Sequence, residues 1–128
     1  MNQITMKNNL KVSIITPAFN RGNMIKNTID SVCQQLYSNI EYIVVDGGST
    51  DQTLDILNSY RKNGKLTYIS RNDQGMYFAI NEGMQLATGD IIAYLNSDDL
   101  YFPLTVQKAV ESFRSNKEVD MIYGDSMV

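Results

Sequence analysis

The sequence predicts an α/β fold: a mostly parallel sheet with helices on both faces, of the Rossmann-like kind. Three observations carry that prediction. Short β-branched, apolar runs alternate along the chain with stretches whose apolar residues recur at helical spacing. The segments joining them are short, which is the signature of βαβ units. Two apolar runs also end abruptly on acids, one on Asp46 and one just before Asp98-Asp99. Open α/β sheets bind ligands at that edge, outside the carboxyl ends of their strands.

The elements follow in order. Residues 1–10 read as a flexible lead-in, and residues 11–128 as one domain. Lys11 to Thr16 is a buried strand that Pro17 stops. A helix follows the loop from Pro17 to Asn23, with Ile25, Ile29, Val32, Cys33 and Leu36 on its apolar face. Cys33 is expected in the core. Ile40 to Val45 is the second strand. Gly47 and Gly48 after it permit a sharp turn with backbone close to a ligand. Ser49, Thr50 or Asp51 caps the next helix, which carries Leu54 and Leu57 and stops near Asn63-Gly64. Leu66 to Ser70 is a third strand. Met76, Ala79, Ile80, Gly83, Met84 and Ala87 form a helical stripe ended by Gly89. Ile91 to Leu95 is a buried strand leading into Asn96-Ser97-Asp98-Asp99. Pro103 opens another helix, and Val119 to Tyr123 reads as a last strand.

Composition narrows the chemistry. Of 128 residues, 43% are hydrophobic and 20% charged, which suits one globular domain. The net charge of -3 argues against a nucleic-acid partner. With no histidine and one cysteine, His-based catalysis, internal disulfides and multi-thiolate zinc sites are all excluded. Metal and proton chemistry falls to Asp, Glu, Lys, Tyr, Ser and Thr. No apolar run approaches the roughly 18 residues of a membrane span, and residues 1–10 lack a signal-peptide core. A cytoplasmic location is the default expectation, with contact at the inner face of a membrane compatible with it.

Three strand-to-helix loops share the predicted ligand edge: Thr16 to Asn23, Asp46 to Asp51 and Asn96 to Asp99. Asp46 can accept a hydrogen bond from a base or ribose, or simply close its own turn. Pro17-Ala18-Phe19 offers backbone groups and an aromatic face, or is an ordinary proline turn. Adjacent carboxylates at Asp98 and Asp99 suit a divalent metal that carries a phosphate, or cap the following helix. Base, ribose and diphosphate in a row make a nucleotide. The sequence lacks both the G-x-x-x-x-G-K-[ST] and the G-x-G-x-x-G patterns, which argues against a P-loop and a dinucleotide site.

These residues resemble the amino-terminal half of family 2 glycosyltransferases, which have the GT-A fold. The matching pieces are Val12 to Asn20, Ser31 to Thr53, Arg71 to Asp99 and Ile122 to Asp125, in order over nearly the whole chain. The stretch GMYFAINEGMQLATGDI is most similar to the bacterial branch that builds exopolysaccharide and lipopolysaccharide sugars. The resemblance implies that Thr16, Pro17, Ala18, Phe19 and Asn20 hold base and ribose, and that Asp46, beside Gly47, accepts from the base, most often uracil. It places Asp73 and Gly75 near the base or diphosphate. Asn96-Ser97-Asp98 stands where the family carries its D-x-D-type motif. Asp98 would then be the main ligand of Mn²⁺ or Mg²⁺, with Asp99 supporting it or facing the donor sugar. Asn96, Phe78 and Ile80 stand where the family often has charged residues, so the donor stays open.

The implied reaction is inverting transfer of a sugar from a nucleotide-diphosphate donor, UDP-linked by preference, to a hydroxyl of a glycan or glycolipid acceptor. Family members usually continue with an acceptor-binding half that carries the catalytic base, so the base is expected beyond Val128, and this part alone is expected to bind nucleotide with little transfer. A sugar nucleotidyltransferase is the rival enzyme, but it wants a Gly-rich basic loop after the first strand. A non-catalytic nucleotide-binding module is the other alternative. A phosphoacceptor receiver domain needs clustered acids where Thr16 and Pro17 stand.

Overall fold

The computed structural model describes residues 9–72 and 75–124. Among these residues four strands and four helices alternate: β1 (Val12–Ala18), α1 (Ile25–Cys33), β2 (Ile40–Asp46), α2 (Thr53–Lys62), β3 (Thr67–Ser70), α3 (Met76–Leu86), β4 (Ile91–Tyr94) and α4 (Thr105–Ser115). The sheet is wholly parallel, in the order β3-β2-β1-β4. The predicted α/β architecture is therefore the observed one.

Alternation along the strands builds two apolar layers. Val12, Ile14 and Ala18 of β1 and Tyr42 and Val44 of β2 face one way. There they meet Ile25, Ile29 and Val32 of α1, Leu57 of α2, and Val106 and Val110 of α4. Ile43 and Val45 face the other way, onto Ala79 of α3. Each fully buried Ile or Val stabilises the fold by roughly 1.5–3 kcal/mol, so the three-helix layer carries most of the core. On the α3 side the packing is close. A Cβ on Gly83 would sit 2.5 Å from Ile15 Cγ2, so only glycine lets α3 lie this near β1.

Several sequence expectations change. Pro17 does not end β1, which runs on to Ala18 paired with Asp46. Ile15 O accepts from Leu95 N, whereas Ala18 O accepts from Gly47 N. Odd-numbered residues of β1 thus turn their amides toward β4. Pro17 falls on that side beyond the last β4 pair, where its missing N–H costs no ladder bond. Cys33 is exposed, not core. The buried face of α1 is Ile25, Thr28, Ile29 and Val32, and Cys33 lies about a quarter turn from its centre. Leu36 lies past the end of the helix and is exposed. On α3, Ala79 and Gly83 are buried but Met76 and Met84 are substantially exposed. Pro103 precedes α4 by two residues instead of starting it. Leu10, expected in the lead-in, is buried in the core. No strand forms at Val119 to Tyr123. Among the described residues no strand lies alongside to complete a ladder, and Met121 and Tyr123 are exposed.

The opposite edge of the sheet is stapled by polar bonds. Glu41 Oε1 accepts from Ser13 Oγ (2.7 Å) and from Thr88 N (2.9 Å), and Ser13 Oγ accepts from Gly89 N (2.8 Å). This fixes the α3–β4 turn, and so where β4 starts and where its carboxyl end emerges.

Candidate nucleotide-diphosphate site

The chain moves outward from β1 to β2 to β3, then crosses back to place β4 on the other side of β1. The direction reverses between β1 and β4, and ligands of open α/β sheets bind at such a switch point. An open cavity of about 680 Å³ lies there. That is within the usual range for small-molecule sites, roughly 300–1,000 Å³.

Its walls come from four segments. The end of β1 and the loop after it supply Pro17, Ala18, Phe19 and Arg21. The turn after β2 supplies Gly47. The β3–α3 loop and the start of α3 supply Asn72, Gly75, Met76 and Ala79. The turn after β4 supplies Asn96, Ser97 and Asp98. Eight of the predicted site residues therefore share one cavity: Pro17, Ala18, Phe19, Gly47, Gly75, Asn96, Ser97 and Asp98. Thr16, Asn20, Asp46 and Asp99 do not line it. Asp73 lies outside the described residues.

The residues behind the wall make the loops. Asp46 is fully buried. Its Oδ2 accepts from Gly48 N (3.0 Å), Ser49 N (2.8 Å) and Ser70 Oγ (2.8 Å), and its Oδ1 from Ser49 Oγ (2.5 Å). A buried carboxylate is tolerable only when bonded in this way. Ser49 Oγ in turn accepts from Asn20 N (2.8 Å), and Asn20 Oδ1 accepts from Thr50 N (2.8 Å). Asn20 has φ of 50°, a left-handed conformation that Asn adopts more readily than most residues. The first two loops are thus braced together from Asp46 through Ser49 to Asn20. Asp51 is part of the same brace. Its Oδ1 accepts from the Thr53 hydroxyl and from Thr53 N, and its Oδ2 from Gly22 N. The Thr53 hydroxyl bond is the largest cause holding its carboxyl below the usual range. Thr16 Oγ1 lies 2.8 Å from the Tyr42 hydroxyl, both residues being buried. Burial dominates in pushing that phenol far above its ordinary value.

Gly75 precedes α3 with φ of 113°, a conformation that disfavours any side chain. A Cβ on Gly48 would meet Asn72 Oδ1 at 2.7 Å, so the turn after β2 and the β3–α3 loop also touch. The Tyr94 hydroxyl bonds Asn96 Oδ1. That occupies the amide oxygen of Asn96 and leaves its Nδ2 hydrogens for the cavity. Ser97 is buried, whereas Asp98 and Asp99 are exposed. The Asp98 carboxylate on the cavity wall has no hydrogen-bond or ion-pair partner among the described residues.

The chemistry of this wall is divided. Pro17, Ala18, Phe19, Met76 and Ala79 give apolar surface against which a planar ring can lie. Arg21, Asn72, Asn96 and Asp98 give polar groups. Among the described residues no group of three or more His, Cys, Asp or Glu forms a dedicated metal cage. One or two carboxylates with room beside them is the donor set that Mg²⁺-type ions use when phosphate oxygens complete their shell. The residues present fit that role. Arg21, Asn72, Met76 and Ala79 were not legible as site residues. Arg21 sits between two predicted loop residues, and its charge beside Asn20 was the available signal. Met76 and Ala79 read only as helix stripe. Their place at the start of a helix that packs on β1 brings them to the cavity.

The family model described as Glycosyl transferase family 2 matches residues 13–126. A glycosyltransferase of PGL/p-HBAD biosynthesis from Mycobacterium bovis is 40% identical over 116 residues, covering 88% of this chain and 45% of that protein. An uncharacterized glycosyltransferase from Nostoc is 33% identical over 116 residues, covering 89% of this chain and 36% of that protein. The chain thus spans less than half the length of these relatives. Among solved structures, S. aureus TarS 1–349 in complex with UDP-GlcNAc superposes with a TM-score of 0.78 at 29% identity, covering 83% of this chain and 32% of that one. The mannosyltransferase PcManGT from Pyrobaculum calidifontis, in complex with GDP-Man and Mn²⁺, gives 0.77 at 26% identity, covering 84% of this chain and 33% of that one. These are GT-A glycosyltransferases, and the fold matches the expectation from sequence. With the family model covering nearly its whole length, this chain belongs to glycosyl transferase family 2.

Proposed function

We propose that the chain is the donor-binding part of an inverting, metal-dependent glycosyltransferase that uses a nucleotide-diphosphate sugar, UDP-linked by preference, in polysaccharide or glycolipid synthesis. The observation that carries this reading is the divided cavity at the switch point, with an apolar ring-sized face at Pro17-Ala18-Phe19 and a free carboxylate at Asp98. Both solved neighbours named above hold nucleotide sugars, and one holds Mn²⁺ as well.

In this reading the base lies against Phe19, and the ribose and diphosphate run toward Asn96 and Asp98. Asn96 donates from Nδ2 to a ribose or phosphate oxygen. Arg21 supplies positive charge on the same wall. Asp98 holds the divalent ion, with Asp99 beside it. Asp46 and Asn20 hold the loops in place, Thr16 ties β1 to Tyr42 of β2, and Asp73, outside the described residues, is assigned to the base or diphosphate by the family resemblance alone. An acceptor hydroxyl oxygen attacks the anomeric carbon, the bond from that carbon to the diphosphate oxygen breaks, and its electron pair leaves with the diphosphate. The bound ion, when present, offsets that charge as a Lewis acid, typically worth several kcal/mol. The acceptor's proton goes to a base that we assign to none of the described residues.

Calorimetric titration with UDP, GDP, CDP and dTDP, each with and without Mn²⁺, tests the reading. One nucleotide is expected to bind more tightly with the metal, and Asp98→Ala is expected to remove that gain. Equal affinity with and without metal, or a gain that survives Asp98→Ala, would contradict it.

A further inference from the structure

Thr28 stands in the middle of α1, fully buried and away from the cavity wall. Its hydroxyl lies 3.0 Å from the Ser97 carbonyl oxygen and 2.8 Å from that of Asp99. These are the carbonyls on either side of Asp98. A hydroxyl carries one proton, so the two acceptors share it. We propose that Thr28 is a positioning residue for the donor site: by gripping the backbone on both sides of Asp98, it sets the direction in which that carboxylate meets a divalent cation.

The proposal rests on the donor-site reading above and deepens it. The Asp98 side chain has no partner of its own among the described residues, so its backbone must orient it. Within the turn itself, Asp99 N donates to Asn96 O at 3.1 Å. A further hold comes from α1. Thr28, Ser31 and Gln35 lie at i, i+3 and i+7, on one face, though Gln35 is just past the helix end. Ser31 Oγ accepts from Tyr101 N at 3.2 Å, and Gln35 bonds Phe102 O (2.7 Å) and Val106 N (3.0 Å). Those two hold the chain after the acids, and Thr28 reaches the acids themselves. A helical Thr commonly bonds back to its own helix, but this one reaches across to another element. Val would fill the same volume and cannot donate. Groups that orient a metal ligand typically change metal affinity by about 10- to 100-fold when removed.

The test titrates the chain with UDP, with and without Mn²⁺, as wild type, Thr28→Val, Thr28→Ser, Ser31→Ala and Asp98→Ala. The metal-dependent gain in UDP affinity is expected to fall about tenfold or more in Thr28→Val. Metal-free binding should be unchanged there, and Thr28→Ser and Ser31→Ala should keep the full gain. A full gain in Thr28→Val overturns the proposal. So does an equal loss of metal-free binding, or the same loss in Ser31→Ala, since either means general loosening. Should Thr28→Val unfold, Thr28→Ala set against Thr28→Ser decides: the gain is expected to fall in Thr28→Ala and to survive in Thr28→Ser, and a full gain in Thr28→Ala or a lost gain in Thr28→Ser overturns the role. If Asp98→Ala abolishes the gain while Thr28→Val keeps it, only the positioning role falls. No gain in wild type, or a gain surviving in Asp98→Ala, removes the donor-site reading and this proposal with it.

Discussion

Asp46 shows how far a residue's type can be read and where its direction takes over. An acid at a strand end before two glycines was legible as functional chemistry. The fold turns its carboxylate inward, onto Ser49, Gly48 and Ser70. Asp46→Ala leaves several buried donors unpaired, and the expected loss is about 3 kcal/mol in urea unfolding. Asp46→Asn should cost less. Its carbonyl can take the Oδ2 donors while its amide donates to Ser49 Oγ, which can accept as well as donate. Equal losses would mean that charge, not the bond pattern, is what matters there. Thr16 and Asn20 follow the same logic, one bonded to the buried Tyr42 hydroxyl and one bracing a turn. Type and spacing alone do not say which way a side chain faces, whereas Phe19 and Asp98 have few buried partners to claim them and stay on the wall.

At the scale of elements, periodicity predicted every helix and the first four strands. It missed what depends on neighbours. Pro17 continues β1 because no β4 residue needs its amide, and Val119 to Tyr123 stays irregular for want of a partner strand. The α3–β1 contact rests on Gly83. Gly83→Ala gains up to about 1 kcal/mol of helix propensity. It also drives a methyl to 2.5 Å from Ile15, which is fully buried. Overpacking costs about 1–3 kcal/mol, so net destabilisation is expected, seen as a lower urea midpoint. Unchanged or raised stability would show that α3 can shift freely. Glu41 ties the other sheet edge. Burial alone would raise its pKa, but the Thr88 N–H and the Ser13 and Thr88 hydroxyls together hold it below the usual value. A depressed carboxylate adds stability above its unfolded pKa of about 4.3 and loses it as pH falls through the folded value. Glu41→Gln should therefore flatten the fall in stability between about pH 5 and 3. An unaltered slope would remove Glu41 from the acid response.

For the molecule as a whole, the strand order decides where function sits. β4 crosses back to lie beside β1, and the crevice between their carboxyl ends collects residues from four separate segments. The three loops were legible because each follows an apolar strand. Their convergence depends on sheet order, which the sequence does not spell out. No helix among the described residues is long and apolar enough to cross a membrane. The central claim is that this crevice binds a nucleotide diphosphate through a metal at Asp98. Paramagnetic broadening of amide resonances by Mn²⁺, with and without UDP, measures that most directly. Broadening is expected to centre on residues 96–99, to strengthen with UDP and to reach 18–21 and Gly47. Broadening centred elsewhere, or none at 96–99 with UDP present, would contradict it.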